Sequence, residues 1–352
     1  MARPNGFLRM LAVGCLTLLG GTTSVHADAV ADVLRRSEAV AAQNAQQTQV
    51  AARPGSLRPR PPRRNGGVTL RFAFLPSTNL TEGTSSETVL IGGLPFTLDP
   101  GSREKAGIGV SFGATAYHGW DLARNWRAVL SGSADARLYN TALKLDEREY
   151  GLRLDVTQRY RRGSLTFGPR ATVLFQNREE SRRRIGLGLS GEWVVQPRLR
   201  FGYSAEVLNQ TYPGASFRDG YKTTASIGMD WLATPFTKLS LSLNGVRETA
   251  EAAHLAHRDL GVGLGAETRI GANTRVGANL FLGRNLYDGP YPVFDIARKD
   301  RVTSLTLTLS DRRIEWNGLT TRVGITRRQQ DSNIPLFDFW ATDFSLNFVK
   351  TF

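Results

Sequence analysis

Leu239-Ser240-Leu241-Ser242-Leu243-Asn244 changes from apolar to polar at every residue. Successive side chains of a strand point to opposite faces, so this stretch has one apolar and one polar face. The same period appears in Leu305-Thr306-Leu307-Thr308-Leu309-Ser310. Leu199, Phe201, Tyr203, Ala205 and Val207 repeat it, with Arg200, Gly202, Ser204 and Glu206 between them. So do Ile108, Val110, Phe112 and Ala114, and Tyr150, Leu152, Leu154 and Val156. The pattern begins near Val68 and runs to the C-terminus. In a soluble sandwich the apolar face would meet a core, and in a membrane barrel it would meet lipid.

Three features select the barrel. The alternating segments run to about ten residues, the length a tilted membrane strand needs, whereas sandwich strands are nearer six. Short connections (Leu122–Asn125, Arg161–Arg162, Gln196–Pro197, Pro235, Gly271–Asn273) alternate with long ones (Pro76–Glu104, Asn140–Glu147, Thr249–Ala256, Asp288–Arg298, Gln330–Trp340). Aromatic residues gather near strand ends: Trp120, Trp126, Tyr160, Tyr212, Tyr221, Trp231, Tyr287, Trp316 and Trp340. Both traits belong to outer-membrane barrels. The mature chain has no run of about 20 apolar residues, so only a closed barrel satisfies its backbone in lipid.

The predicted fold is all-β: a transmembrane antiparallel up-and-down β-barrel of about fourteen strands, with short periplasmic turns and longer extracellular loops. Strands are expected to start near Val68, Gly107, Trp126, Arg148, Ser164, Arg183, Arg198, Gly220, Thr237, Arg258, Thr274, Arg301, Leu319 and Ala341. The last one ends on Phe352, like the insertion signal of outer-membrane proteins. The barrel-assembly machinery, acting on that strand, and outer-membrane lipid are therefore expected partners.

Upstream, Arg3 and Arg9 precede an apolar stretch, Met10 to Gly21, and Val25-His26-Ala27 offers small residues for cleavage after Ala27. Residues 1–27 read as a signal peptide. Cleavage there removes Cys15, the single cysteine, and with it any disulfide or thiol chemistry. Residues 28–66 are Ala/Gln-rich and then Pro/Arg-rich, as in Arg58-Pro59-Arg60-Pro61-Pro62-Arg63-Arg64, and read as a periplasmic tail. The barrel is expected over 67–352.

The net charge is +14. The basic residues are scattered along strand segments and no nucleic-acid-binding motif surrounds them, so nucleic acid is not an expected partner. Basic rims suit anionic lipid instead. On the polar parity stand Arg71, Arg127, Asp135, Arg137, Arg153, Asp155, Arg170, Glu192, Arg200, Glu206, Lys222, Asp230 and Arg322. They are the expected lumen-facing charges, either bracing the wall as ion pairs or giving a basic lumen that attracts anions. Gly186-Leu187-Gly188-Leu189-Ser190-Gly191 spells a dinucleotide fingerprint inside a strand, without the strand-to-helix turn such a site needs, and reads as small lumen residues. His254 and His257 share a loop and read as solvated, with no further ligands for a metal. His118 lacks a nucleophile to activate. No enzyme, cofactor or metal is expected.

Phe72-Ala73-Phe74-Leu75-Pro76-Ser77-Thr78-Asn79-Leu80 resembles the opening of the surface lipoprotein assembly modifier (Slam) barrel. The C-terminal half resembles it further, through Arg298-Lys299-Asp300, Asn317-Gly318, Asp331-Ser332-Asn333-Ile334-Pro335-Leu336-Phe337 and the terminal Lys350-Thr351-Phe352. The positions that match the family pattern are Pro76, Asn79, Asp300, Gly318, Ser332, Asn333, Ile334, Lys350 and Phe352. The resemblance spans roughly Val68 to Phe352 and implies a fourteen-strand barrel that moves lipoproteins, or related cargo, to the cell surface. The family's periplasmic tetratricopeptide domain is not expected in the short segment before the barrel. A passive porin with a basic lumen is the alternative reading of the barrel pattern.

Overall fold

The computed structural model describes residues 65–352 apart from 92, 101, 141–144, 293 and 315–317. The signal peptide, Cys15, nearly all of the tail and Trp316 lie outside the described residues. The strands are β1 (Gly66–Ser77), β2 (Thr88–Ile91), β3 (Leu94–Thr97), β4 (Gly107–Ala123), β5 (Trp126–Tyr139), β6 (Glu147–Arg159), β7 (Gly163–Gln176) and β8 (Glu179–Gln196). They continue with β9 (Leu199–Thr211), β10 (Gly220–Leu232), β11 (Thr237–Glu248), β12 (His257–Ile270), β13 (Thr274–Tyr291), β14 (Ile296–Asp311), β15 (Leu319–Ser332) and β16 (Phe339–Thr351). β1 and β4 to β16 form one closed antiparallel barrel in chain order, and β2–β3 is a separate hairpin. The fourteen wall strands are the expected ones, each starting within a few residues of its predicted position.

The ring closes where β1 pairs with both β4 and β16, with Phe72 opposite Phe112 on one side and Phe348 on the other. Phe72 stacks on Phe348 with centroids 5.9 Å apart, and the Phe352 amide donates to the Val68 carbonyl at 2.9 Å. Closure satisfies every edge, as lipid requires. Wall strands of 12 to 18 residues exceed the about 10 that cross a bilayer, so their ends stand clear of it.

The two parities divide cleanly. Leu239, Leu241 and Leu243, and Leu305, Leu307 and Leu309, are exposed. The other parity holds buried polar groups, such as Gln210, Arg182 and Ser304. Only the concave face of a single-layered ring can cover a side chain, so the polar parity lines the inside and the leucines face lipid.

The loops depart from expectation in detail. β7 and β8 join on the long-loop end through Asn177 and Arg178 alone, both at positive φ (49° and 75°). The Asp288–Arg298 segment is mostly strand, since β13 runs to Tyr291 and β14 begins at Ile296. Trp120, Tyr160, Tyr221, Trp231 and Trp340 are exposed, as an interfacial girdle requires. Tyr212 and Tyr287 are not part of it. Tyr212 is buried against Arg218, and Tyr287 stacks on His257 at 5.1 Å.

Candidate functional site

The predicted lumen charges are built into the inner wall, and most of them are paired. Arg71 on β1 reaches Asp135 on β5 at 2.8 Å, passing over β4 at Gly113. A Cβ at Gly113 would lie 2.3 Å from the Asp135 carboxylate. Arg170 on β7 pairs with Glu206 on β9, crossing β8 at Gly188, where a Cβ would lie 2.3 Å from the guanidinium carbon. Gly188 belongs to the run that spells a dinucleotide fingerprint; its smallness makes room for an arginine.

Shorter links complete the wall. Arg127 meets Asp121 at 3.1 Å, Arg153 meets Asp155 at 2.7 Å, Arg200 meets Glu192 at 3.5 Å and Lys222 meets Glu248 at 3.4 Å. Arg137 stands opposite Glu147, Asp230 opposite Arg200, and Arg322 opposite Asn347 and Ser310. From β10 to β15 the mid-barrel lining turns uncharged and mostly small, with Ser226, Gly228, Ser240, Ser242, Gly263, Gly265, Gly277 and Thr306 around Phe281. Ionic bracing is thus concentrated on the half of the wall running from β1 through β4 to β9.

At the long-loop end, side chains fasten a loop to the rim of the wall. On the segment after β1, the Asn79 amide donates to the Trp340 carbonyl of β16 at 3.1 Å and to Gly83 at 2.9 Å. Its oxygen accepts from Thr81 and from the Gly83 amide. The turn presents Glu82, at φ +50°, to the buried Arg328 on β15. Arg328 also holds Asp343 on β16 at 2.6 Å. Gly83 lets the loop's two arms touch, for a Cβ there would lie 2.5 Å from the Arg103 carbonyl carbon. The β2–β3 hairpin buries Val89 and leaves Leu90 and Leu94 65% or more exposed.

A second loop-to-wall contact adjoins it. The loop between β15 and β16 drops Ile334 and Phe337 onto Tyr291, with the Phe337 and Tyr291 rings edge to face at 5.2 Å. The Arg298 guanidinium lies 3.7 Å over Phe337 and 4.7 Å from Tyr287, held by Asp300 at 2.8 Å. Asn333 ties the loop to β14, accepting from the Lys299 amide at 2.6 Å and donating to Ala297 at 2.9 Å. Ser332 accepts from the Ile334 amide, and Gln330 donates to the Phe337 carbonyl at 2.8 Å. Burial pushes the loop carboxyl of Asp338 above its ordinary value.

The expected family positions divide by place. Asn79, Asp300, Ser332, Asn333 and Ile334 converge on this mouth. Pro76 stands on the outer face opposite Ile108. Gly318 supplies a positive φ of 75° before β15, and the Lys350 ammonium lies 4.9 Å over Phe352 at the far rim.

The sequence reading gave no role to Glu82, Arg328 or Asp343, and quoted Arg298 only within the Arg298-Lys299-Asp300 element. Arg327-Arg328 carried a signal, since adjacent residues of a strand face opposite sides. The histidines correct a prediction. His257 is not solvated: it opens β12, is buried, stacks on Tyr287 and lies 3.4 Å from Asp259. His254 meets Tyr291 edge to face at 5.9 Å. His118 packs on Trp120 at 5.2 Å. Among the described residues no group of three His, Cys, Asp or Glu could hold a metal.

Solved structures with a similar shape include the TodX monoaromatic hydrocarbon channel deltaS2 mutant (10% identity, 82% of this chain and 90% of that one, TM-score 0.42). Others are OprD from Pseudomonas aeruginosa (8%, 82% and 94%, 0.39) and the OmpT loop-deletion mutant of Vibrio cholerae (9%, 82% and 100%, 0.41). No curated protein matches the chain. The profile of the surface lipoprotein assembly modifiers matches residues 69–352, from within β1 through the mouth residues to the last residue of the chain. With nearly all of its barrel and both rim contacts inside that match, the chain belongs to the surface lipoprotein assembly modifier family, an outer-membrane barrel family.

Proposed function

We propose that this barrel passes lipoproteins, or related secreted cargo, through the outer membrane to the cell surface. The observation that carries the reading is the convergence of Asn79, Asp300, Ser332, Asn333 and Ile334 on the long-loop rim, where loops are fastened to the wall. Hydrogen bonds, one ionic latch and a three-residue apolar cluster are contacts that a cargo can displace singly. The paired charges of the wall fit a braced conduit better than a naked basic pore, since each pair cancels its own field at a distance. The family membership supports the same cargo class. β16, followed directly by Phe352, is the segment offered to the barrel-assembly machinery. The reading assigns no catalytic step to any residue.

The test is surface display. A candidate lipoprotein is expressed with and without the barrel, and intact cells are probed with protease and antibody. The reading expects display that depends on the barrel and falls with Asn79→Ala. Equal display of every candidate cargo without the barrel sinks it. Planar-bilayer recording separates the porin alternative: a silent wild-type barrel is expected, and a stable open pore favours the porin.

A further inference from the structure

The outward parity of β11 to β15 turns from apolar to basic near the long-loop end. Arg247 on β11 stands opposite Arg258 on β12, and Arg284 on β13 stands opposite Arg301 on β14. Arg327 on β15 faces outward with its guanidinium 4.2 Å over Trp340. Lys299 on β14 is exposed beside them.

These residues lie in one narrow band of height. Strands in such barrels tilt by about 40°, so a level line steps down the register from strand to strand. The first outward apolar residue below the basic ones steps the same way, from Leu260 on β12 to Leu282 on β13, Leu305 on β14 and Ile325 on β15. The cations therefore form a belt just beyond the apolar band.

The belt is short of anions. Asp288 takes Arg247 through two contacts, at 2.9 and 2.5 Å, and Arg258 shares its field. Asp331 stands opposite Arg301, but its oxygen accepts the Gln329 amide at 2.9 Å. Arg284 and Arg301 make no ion pair among the described residues. Like charges directly opposite on one face of a sheet destabilise it. Two such arginine pairs on neighbouring hairpins, above a leucine band, point to an external polyanion attached to acyl chains. Guanidinium forks match phosphate oxygens two at a time.

We propose that this belt binds a bisphosphorylated, acylated glycolipid of the outer leaflet, of the lipid A kind. One phosphate lies across Arg284 and Arg301, the second reaches Arg258, and the acyl chains run down over Leu260, Leu282 and Leu305.

The full chain, folded in detergent, is titrated with diphosphoryl lipid A, fully dephosphorylated lipid A, phosphatidylglycerol and inorganic phosphate. Saturable binding of the diphosphoryl form is expected. The triple variant Arg258→Gln/Arg284→Gln/Arg301→Gln should weaken it on the order of a hundredfold. Arg161→Gln/Arg162→Gln/Arg198→Gln, at the other end, should leave it unchanged. The proposal is overturned by equal binding to the first triple variant, equal binding of dephosphorylated lipid A or phosphatidylglycerol, or competition by equimolar phosphate. Should the triple variant not fold, the comparison of lipids on the wild-type chain decides.

Discussion

Glu82, on the segment after β1, is ion-paired with Arg328 on β15, a contact that joins a loop to the wall across 246 residues of sequence. Asp343 takes the other side of the same guanidinium. Glu82 and Arg328 are both buried, so each depends on the other for its solvation. Removing one partner of a buried pair leaves an uncompensated charge, at about 3–5 kcal/mol.

Arg328→Gln should therefore lower the temperature at which the folded barrel loses its compact gel mobility. It should also release the latch. Bilayer recordings of Arg328→Gln and of Glu82→Gln are expected to show openings that the wild type lacks. Silent variants at full folding would mean that the mouth is held elsewhere.

Asn79 makes its contacts through both ends of one amide. Asn79→Ala strips the Trp340 carbonyl of its donor and should cost about 1–3 kcal/mol. Proteolysis of whole cells should then cut the loop after β1 sooner than in the wild type. Asn79→Asp loses the donor but keeps the acceptor, and should fall between the two.

Gly188 lies beneath Arg170. Gly188→Val should displace the guanidinium from Glu206 while changing stability by less than about 1 kcal/mol, since the pair is part-exposed and its arginine is flexible. The variant should run as a folded barrel yet lose the coupling between Arg170→Ala and Glu206→Ala in a double-mutant cycle. A coupling equal to that of the wild type would show that the glycine is not needed for the bridge.

The parity itself is testable at Leu241 and Ser242, neighbours on opposite faces of β11. Leu241→Arg should cost about 2–4 kcal/mol near the bilayer midplane, and Ser242→Arg much less. In a Cys15→Ser background, a cysteine replacing Leu241 should react with a membrane-dissolved probe and resist an aqueous one. A protein labelled at Leu241 by neither reagent would not be a membrane barrel.

The wall was legible because alternation is a local property: Leu239 to Asn244 declares its two faces with no knowledge of the partner strands. The mouth was not. Arg328 reads as one more basic residue on a polar parity until a loop from the other end of the chain supplies Glu82. Tyr287 covers His257 only because β12 and β13 set them opposite one another in register. The β2–β3 hairpin has four residues in each strand, too few for a period to stand out from its flanking Ser, Thr and Gly. Asn79, Asp300 and Ile334 could be named from family resemblance, but nothing in the sequence alone places them within one cluster.

The closure of the ring between Thr69 and Thr351, 282 residues apart, bears on how the protein is made. Every other pairing in the wall joins wall strands consecutive in the chain and can form as they appear, at little loop-closure entropy. This one joins the earliest strand to the latest. Contacts of such sequence separation are the slow step of β-topologies. Until it forms, β1 and β16 are two bare edges in the membrane, and unpaired edges recruit other strands. Phe72 against Phe348 then works as a clasp that engages last. Weakening it with Phe72→Ala would lengthen the life of the open intermediate more than it would lower the stability of the finished barrel.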